Sequence, residues 1–245
     1  MITDYKEGHS QTYTKNPNYW DSEVIGGRKY KLPFTDKIIM MLIKDEATRL
    51  ASLRTGKVDL DMSVTWNQFD DLIKTNPQLK WKRVLYSVNQ LLALRMDMKP
   101  FNDIRVRRAM NLAVNKKEII TNFYRGNAAL LAWPFPSTFT EIYTPVEKLP
   151  PSARELFGFD PEKAKKLLAE AGYPNGFSFK AQIATGNQAE MDLAAMVVAY
   201  LERIGVKLEL EPMDYASWLS RMVKKTHSAG IFINAGPGGP LSGIR

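Results

Sequence analysis

The sequence predicts an α/β fold in which a mixed β-sheet is flanked by helices, and three observations support this prediction. From residue 160 onwards, helix-like and strand-like segments alternate to residue 235. The helix-like segments have capping residues at their starts and glycines at two of their ends, with apolar residues along one face. The strand-like segments are short apolar runs between those boundaries. Such alternation is typical of a parallel or mixed sheet with helices packed on it.

The composition is that of a folded globular protein and excludes several classes. Hydrophobic residues make up 44% of the chain and charged residues 24%, which excludes disordered and collagen-like proteins. No apolar run reaches the roughly 18 residues that a membrane helix requires. The start of the chain lacks the features of a secretory signal, although a processed protein would lack them too. The absence of cysteine excludes disulfides, thiolate nucleophiles and cysteine metal sites.

Turns and strands dominate the first part of the chain. Turn chemistry at 16–18 follows a β-rich stretch, and the apolar run at 35–45 predicts a buried strand. A helix follows, which Asp45 can cap and Gly56 can end. The alternation of apolar and polar residues in 57–64 then predicts another strand.

The middle of the chain predicts further strands and then two helices. A short helix ends before Pro77, and strands are expected at 79–87 and 90–98. Asn115 opens the second of the two helices through a capping box with Glu118, and Gly126 ends it. The first of them has a buried stripe at helical spacing, formed by Val106, Ala109, Met110 and Ala113.

The least regular stretch covers residues 127–160. Its prolines exclude a regular helix, because proline removes a backbone donor and clashes with the preceding turn. They occupy positions 134, 136, 145, 150 and 151. Its aromatic residues favour burial, so we expect an ordered crossing loop of the kind that often carries function. These aromatic residues are Trp133, Phe135, Phe139 and Tyr143.

Regular alternation then begins at Asp160, which can cap a helix that starts with proline and ends at Gly172. Asn187 and Glu190 form the cap pair of a long helix, and Asp214 caps the last one. The apolar face of that last helix consists of Tyr215, Trp218, Leu219 and Met222. Strands are expected between and after these helices, at 177–184, 206–212 and 229–235.

The chain shows no convincing catalytic or metal-binding motif. His9 and His227 lack the spacing of a metal site, and no GxSxG elbow is present. Asp59 and Asp61 would share one side of a strand, as a catalytic pair can, but a solvated strand face or a strand-end cap explains them better. We therefore expect no catalytic residues, no cofactor and no metal.

The glycine-rich stretch after the last strand does not match a phosphate-binding loop. Residues 234–240 read NAGPGGP, without the lysine and hydroxyl residue of a P-loop and without the GxGxxG pattern. Two interpretations stay open: ordinary coil, or glycines that let the backbone approach a ligand or a partner domain closely.

The chain carries 34 Lys and Arg against 26 Asp and Glu, a net charge of +8. The basic residues are scattered over predicted helix surfaces, which is typical of solvated faces. Binding to nucleic acid or another anionic partner is an alternative that rests on this charge alone.

Several stretches, in the correct order, resemble the extracellular solute-binding proteins of the oligopeptide, dipeptide and nickel type, which serve ABC importers. The most specific is PFNDIRVRRAMNLAVNKKEII, and the resemblance covers nearly all of residues 10–234. The other stretches are YTKNPNYWD, DEATRLASLRTGKVDLD, FDPEKAKKLLAEAGYPNGF and LERIGVKLELEPMDYASWL.

The resemblance implies a lobe of the type II periplasmic-binding-protein-like fold over residues 1–245, with the N-terminal lobe and a C-terminal return segment absent from this chain. It implies noncovalent capture of a small solute between two lobes, with a cognate ABC permease as partner and without enzymatic activity. It also implies a periplasmic or extracellular location, with membrane association in the intact protein. Stable insertion into the membrane and binding to nucleic acid are not expected. An uncharacterised enzyme domain is a further alternative.

The resemblance also assigns candidate ligand-binding residues. Peptide-binding members carry an aspartate shortly after the last strand, but here that region has no acid, which disfavours an α-amino peptide and leaves sugars, opines and other solutes open. The candidates combine aromatic rings with amides, which suits a wet cleft that accepts varied solutes. They are Trp66, Asn89, Gln90, Trp133, Phe232 and Asn234.

Overall fold

The computed structural model describes residues 1–84, 89–130, 137 and 139–235. The chain divides into two compact units, Met1–Lys80 and Trp81–Arg245. Whether both units belong to one lobe stays a prediction.

The first unit contains two small antiparallel sheets and two helices. The larger sheet has the order β1-β2-β5, and β3 and β4 form a separate hairpin. The strands are β1 Ile2–Lys6, β2 Ser10–Thr14, β3 Ser22–Ile25, β4 Arg28–Lys31 and β5 Lys37–Met41. The helices are α1 Glu46–Arg54 and α2 Trp66–Thr75. As predicted, the Asp45 carboxylate caps α1 by accepting from the Thr48 amide.

Two strand predictions in the first unit need correction. Residues 57–64, all of which are described, form no strand. The apolar run at 35–45 does form β5, but its side chains are exposed instead of buried, with Ile38 53% exposed. β5 is an edge strand of its sheet, and all five of its residues are exposed. Apolar sequence alone therefore identified the strand but not its environment.

The second unit is built on a four-stranded mixed sheet, as the alternation predicted. The strand order is β6-β9-β7-β8, with β6 antiparallel and the other three strands parallel to one another. The strands are β6 Asn89–Leu94, β7 Phe177–Ala184, β8 Val206–Met213 and β9 Gly230–Ala235. The strand expected at 79–87 is absent over 79–84, the described part of that run.

Within the described residues of this unit, six helices accompany the sheet: α3 Ile104–Ala113, α4 Lys116–Glu118, α5 Pro151–Arg154, α6 Pro161–Glu170, α7 Gln188–Glu202 and α8 Tyr215–Lys224. α4 continues into a π-helical turn, Ile119–Phe123, and 3₁₀ turns occupy Val146–Lys148 and Glu155–Phe157. The predicted caps Asn115, Asp160, Asn187 and Asp214 all accept hydrogen bonds from backbone amides at helix starts.

The hydrophobic core of the second unit joins this sheet to α3, α6 and α7. The predicted stripe of α3 is buried throughout, and Phe101 fills the space between helix and sheet, stacking edge-on against Phe179. α8 buries Trp218, whose indole N–H donates to the Phe232 carbonyl at 3.1 Å. Tyr215, predicted on the same apolar face of α8 as Trp218, stacks on Trp218 but is 60% exposed.

A polar cluster lies among the sheet strands of this unit. The Gln182 side chain on β7 is fully buried and donates to the Ser228 hydroxyl at 3.1 Å. Ser228 in turn donates to the Glu211 carboxylate on β8. Because Ser228 precedes β9, these bonds connect all three parallel strands. They satisfy the amide N–H side of the buried Gln182, whereas its Oε1 has no hydrogen-bond partner among the described residues.

Candidate functional site

The carboxyl ends of β7, β8 and β9 lie at one edge of the mixed sheet, and β6 begins at the same edge. Beyond Ile231, β9 no longer pairs with β7 and continues against β6 alone. In open α/β sheets, ligands bind outside the carboxyl ends of the strands. We call this edge, with Gln90, Asn234 and the start of α7, the carboxyl edge.

Three of the predicted ligand residues come together at the carboxyl edge. Gln90 and Asn234 are directly opposite each other in the β6–β9 ladder. Phe232 is opposite Leu92, two residues further from the carboxyl edge along each strand. Since alternate residues of a strand share a face, Gln90, Phe232 and Asn234 lie on the same face of the sheet. Phe232 is half-buried against the core, while both amides are exposed. The edge thus offers hydrogen-bonding amides above an apolar base.

The other three predicted residues are not brought to this group by the described structure. Asn89 begins β6 and its backbone pairs with Ala235, but its side chain is outside the described residues. Trp133 also lies outside them. Trp66 is the first residue of α2, is half-buried and belongs to the other unit. The assignment of these three residues to a ligand site stays a prediction, and so does that of Gln90, Phe232 and Asn234.

Sequence reasoning missed one functional candidate at the carboxyl edge, the carboxylate of Glu190. Its Oε1 accepts a hydrogen bond from Asn234 Nδ2 at 2.7 Å and another from Asn187 Nδ2 at 3.0 Å. The cap pair of Asn187 and Glu190 was predicted, and Asn187 does cap α7. The hydrogen bond between Glu190 and Asn234 on β9 was not predicted, because it joins side chains 44 residues apart in the sequence.

Tyr124 is a second residue that sequence reasoning did not single out. It follows the π-helical turn and is half-buried. Burial, with the negative charge of Glu190 as a smaller cause, raises the pKa of the Tyr124 hydroxyl. π-helical turns often occur at functional sites.

The candidate catalytic and metal groups have structural roles. Asp61 does not lie on a strand with Asp59; its nearly buried carboxylate pairs with Arg49 at 2.9 Å and accepts from the Ser63 amide. The two histidines bond to serines beside them in sequence. Within the described ranges, no group of three or more His, Asp or Glu side chains could hold a metal ion.

Two open clefts on the second unit do not include the predicted site residues. One lies beside Pro100, Ile104 and Tyr173, and the other beside Tyr143 and Arg154. In the part of the chain that the structure describes, no helix is long and apolar enough to cross a membrane.

A protein-family model described as bacterial extracellular solute-binding proteins, family 5 Middle, matches residues 1–241. The chain belongs to this family. It is 31% identical to heme-binding protein A of Haemophilus influenzae over 98% of this chain and 41% of that protein. It is 29% identical to the glutathione-binding protein GsiB of Pectobacterium atrosepticum over 76% of this chain and 34% of that protein.

Among solved structures, this family-5 chain is similar to the periplasmic binding protein DppA of Helicobacter pylori, an ABC-transporter-associated protein in complex with the peptide STSA. The TM-score is 0.79 at 25% identity, covering 99% of this chain and 44% of DppA. The predicted type II periplasmic-binding-protein-like fold is thereby confirmed. The chain spans less than half the length of these relatives. Family membership assigns it to a periplasmic or extracellular location.

Proposed function

We propose that this family-5 chain forms one lobe, over residues 1–245, of a two-lobed solute receptor that delivers its ligand to an ABC permease. The N-terminal lobe and the return segment would lie outside these residues. Family membership over residues 1–241 and the partial coverage of longer relatives support the proposal. Membrane association of the intact protein belongs to the same proposal.

The observation that carries the proposal is the placement of Gln90, Phe232 and Asn234 on one face at the carboxyl edge. An apolar base with a few exposed amides is the usual chemistry of a small-molecule site. A receptor of this kind traps its solute by hinge closure, because the closed form alone contacts the ligand from both sides. Trp66, Asn89 and Trp133 remain proposed as further contacts.

The proposed solute is a small molecule, an oligopeptide or similar, with a sugar or another solute as the alternative. The relatives are named for heme, glutathione and peptide binding, which supports noncovalent capture and favours neither an enzyme nor a nucleic-acid-binding domain. We propose that the chain carries out no covalent step.

Calorimetric titration of the 245-residue chain with glutathione and with the peptide STSA tests the proposal. We expect dissociation constants in the millimolar range, about −4 kcal/mol, because only one side of the trap is present. The double variant Q90A/N234A should weaken this binding further. Tight one-to-one binding by the chain alone, in the micromolar range or below, would contradict the two-lobed trap.

A further inference from the structure

The free edge of β5 is apolar and lacks the features that protect edge strands. In the part of the chain that the structure describes, β5 pairs with β2 alone, in five consecutive pairs without a bulge. The opposite edge strand, β1, has a bulge between Ile2 and Asp4 and carries charged residues. Bulges and charges keep edge strands from pairing with other chains. On β5 and just after it, five consecutive apolar residues are between 50% and 56% exposed: Ile38, Ile39, Met40, Met41 and Leu42.

The hydrogen bonds between β5 and β2 determine which backbone groups of β5 are free. The Leu42 N–H donates to the carbonyl of the residue opposite it, and the Asp36 carbonyl accepts from the N–H of the residue opposite. In an antiparallel ladder, hydrogen-bonded and non-hydrogen-bonded pairs alternate along the strand. The even-numbered residues therefore bond to β2, and the odd-numbered residues direct their N–H and C=O groups to the free edge. These residues are Lys37, Ile39 and Met41.

This alternation restricts how the β5 edge of a second copy could pair with the first. Residues opposite each other must be both odd-numbered or both even-numbered, so a two-fold axis between the copies must pass through a residue. With the axis at Met40, Ile38 lies opposite Leu42 of the second copy, and Asp36 lies opposite Lys44. Both charged residues are exposed. The segment is thus complementary to itself, with an apolar centre and opposite charges at its two ends, and a shift of the axis by one residue removes this match.

We propose that two copies of this chain associate through their β5 edges, about a two-fold axis at Met40. The contact joins their three-stranded sheets into one sheet of six strands and satisfies the backbone groups that are free at each edge. Asp36 contacts Lys15 of its own chain through one carboxylate oxygen, at 3.5 Å, and can accept from Lys44 of the second copy as well. This association involves the first unit alone and goes beyond the proposed function.

Disulfide cross-linking tests the position of the axis, because the chain contains no cysteine. In Met40→Cys, the two thiols would lie in a non-hydrogen-bonded pair whose Cα atoms are about 4.5 Å apart, within the range of a disulfide. The matched control is Ile38→Cys, since Ile38 and Met40 are both 53% exposed. Its thiols would be four residues out of register, about 14 Å apart. We expect mild oxidation to produce at least about tenfold more covalent dimer from M40C than from I38C.

Charge variants test the association without a covalent bond. An edge contact of this size buries less than a standard interface, so we expect the parent chain to be half dimeric at about 50 µM. Sedimentation velocity should then show a mass that rises with concentration from 27.8 kDa towards twice that value. M40K and M40E should each stay monomeric, because like charges would meet at the axis, and their equimolar mixture should dimerise. The control Ile2→Lys, at a 63% exposed residue of β1, should associate like the parent chain.

A parent chain that stays monomeric up to about 500 µM would overturn the inference and leave the β5 edge to a strand from outside these residues. Cross-linking of M40C no greater than that of I38C would also overturn it. Dimers that persist in both M40K and M40E would place the contact elsewhere on the chain and refute the role of β5.

Discussion

At the scale of single residues, Gly176 shows how closely the backbone is packed before β7. It has φ +74°, and a Cβ atom there would meet the Gly205 carbonyl oxygen at 1.8 Å. Gly172 also has a positive φ, +92°, but a Cβ atom there meets nothing within 4 Å. We expect Gly176→Ala to lower the free energy of unfolding by about 3–4 kcal/mol, because the backbone must move. Gly172→Ala should lower the free energy of unfolding by only about 1 kcal/mol, because it adds only the strain of the left-handed conformation.

Denaturant unfolding of the two variants measures this difference. Both variants carry the same left-handed strain, so the contrast isolates the contact between the backbones at Gly176 and Gly205. Equal losses of stability would show that this contact contributes nothing.

Residues whose role is local were predictable from the sequence, and residues whose role depends on distant packing were not. Asp45, Asn115 and Asp214 cap helices as predicted, because a cap joins a side chain to an amide two or three residues away. Glu190 looks like part of such a cap in the sequence. Its bond to Asn234 depends on the placement of β9 beside α7, which no local pattern encodes.

At the scale of elements, Glu155 connects the 3₁₀ turn Glu155–Phe157 to two helices. Its carboxylate accepts two bonds from Arg108 on α3, at 2.8 and 3.0 Å, and lies 3.0 Å from Lys163 Nζ on α6. The hydrogen bond from Lys163 lowers the pKa of Glu155 below its ordinary value, and Arg108 lowers this pKa by a smaller amount. A carboxyl whose pKa is lowered on folding stabilises the protein above its unfolded pKa, about 4.3, and loses that contribution as the pH falls through its folded pKa.

We therefore expect Glu155→Gln to lower the free energy of unfolding by about 1 kcal/mol at pH 7 and to leave it almost unchanged near pH 2. Urea unfolding of the parent chain and the variant across this pH range gives the difference. The control is Glu162→Gln, because Glu162 is 80% exposed and its one ion pair among the described residues is with Lys165, three residues along α6. That substitution should have little effect at either pH. A cost for E155Q that does not change with pH would exclude the ionic contribution.

Element prediction succeeded where a cap or a proline marked a boundary, and it failed at residues 57–64, where apolar–polar alternation was the only signal. α6 begins at Pro161 after Asp160, as the sequence indicated. The alternating residues 57–64 form no strand, because alternation shows only that a segment could pair and not that a partner is available. β5 illustrates the same limit, since its apolar sequence produced a strand without burial.

At the scale of the whole molecule, the α/β class and the mixed sheet were predictable from alternation, but the strand order β6-β9-β7-β8 was not. That order places the last strand between β6 and β7, so two segments more than 130 residues apart build the carboxyl edge. Neither spacing nor periodicity contains this information. The resemblance to a family supplied the candidates, and the structure shows which of them share a face.

The buried core is distributed unequally between the two units, and we expect their stabilities to differ accordingly. In residues 1–80, all of which are described, only Leu50 and Leu72 are buried hydrophobic residues. The other buried hydrophobic side chains belong to the second unit. Apolar burial is the main favourable term in folding, so the first unit should open more often than the second.

Hydrogen exchange of the full chain, read by mass spectrometry, tests this expectation. β2 (Ser10–Thr14) and β7 (Phe177–Ala184) are matched probes, because each has a strand paired on both sides. We expect amides of β2 to exchange at least about tenfold faster than those of β7, which corresponds to about 1.4 kcal/mol in opening free energy. If β2 is protected as long as β7, the two units open together, and the exposed apolar residues of β5 do not weaken the first unit.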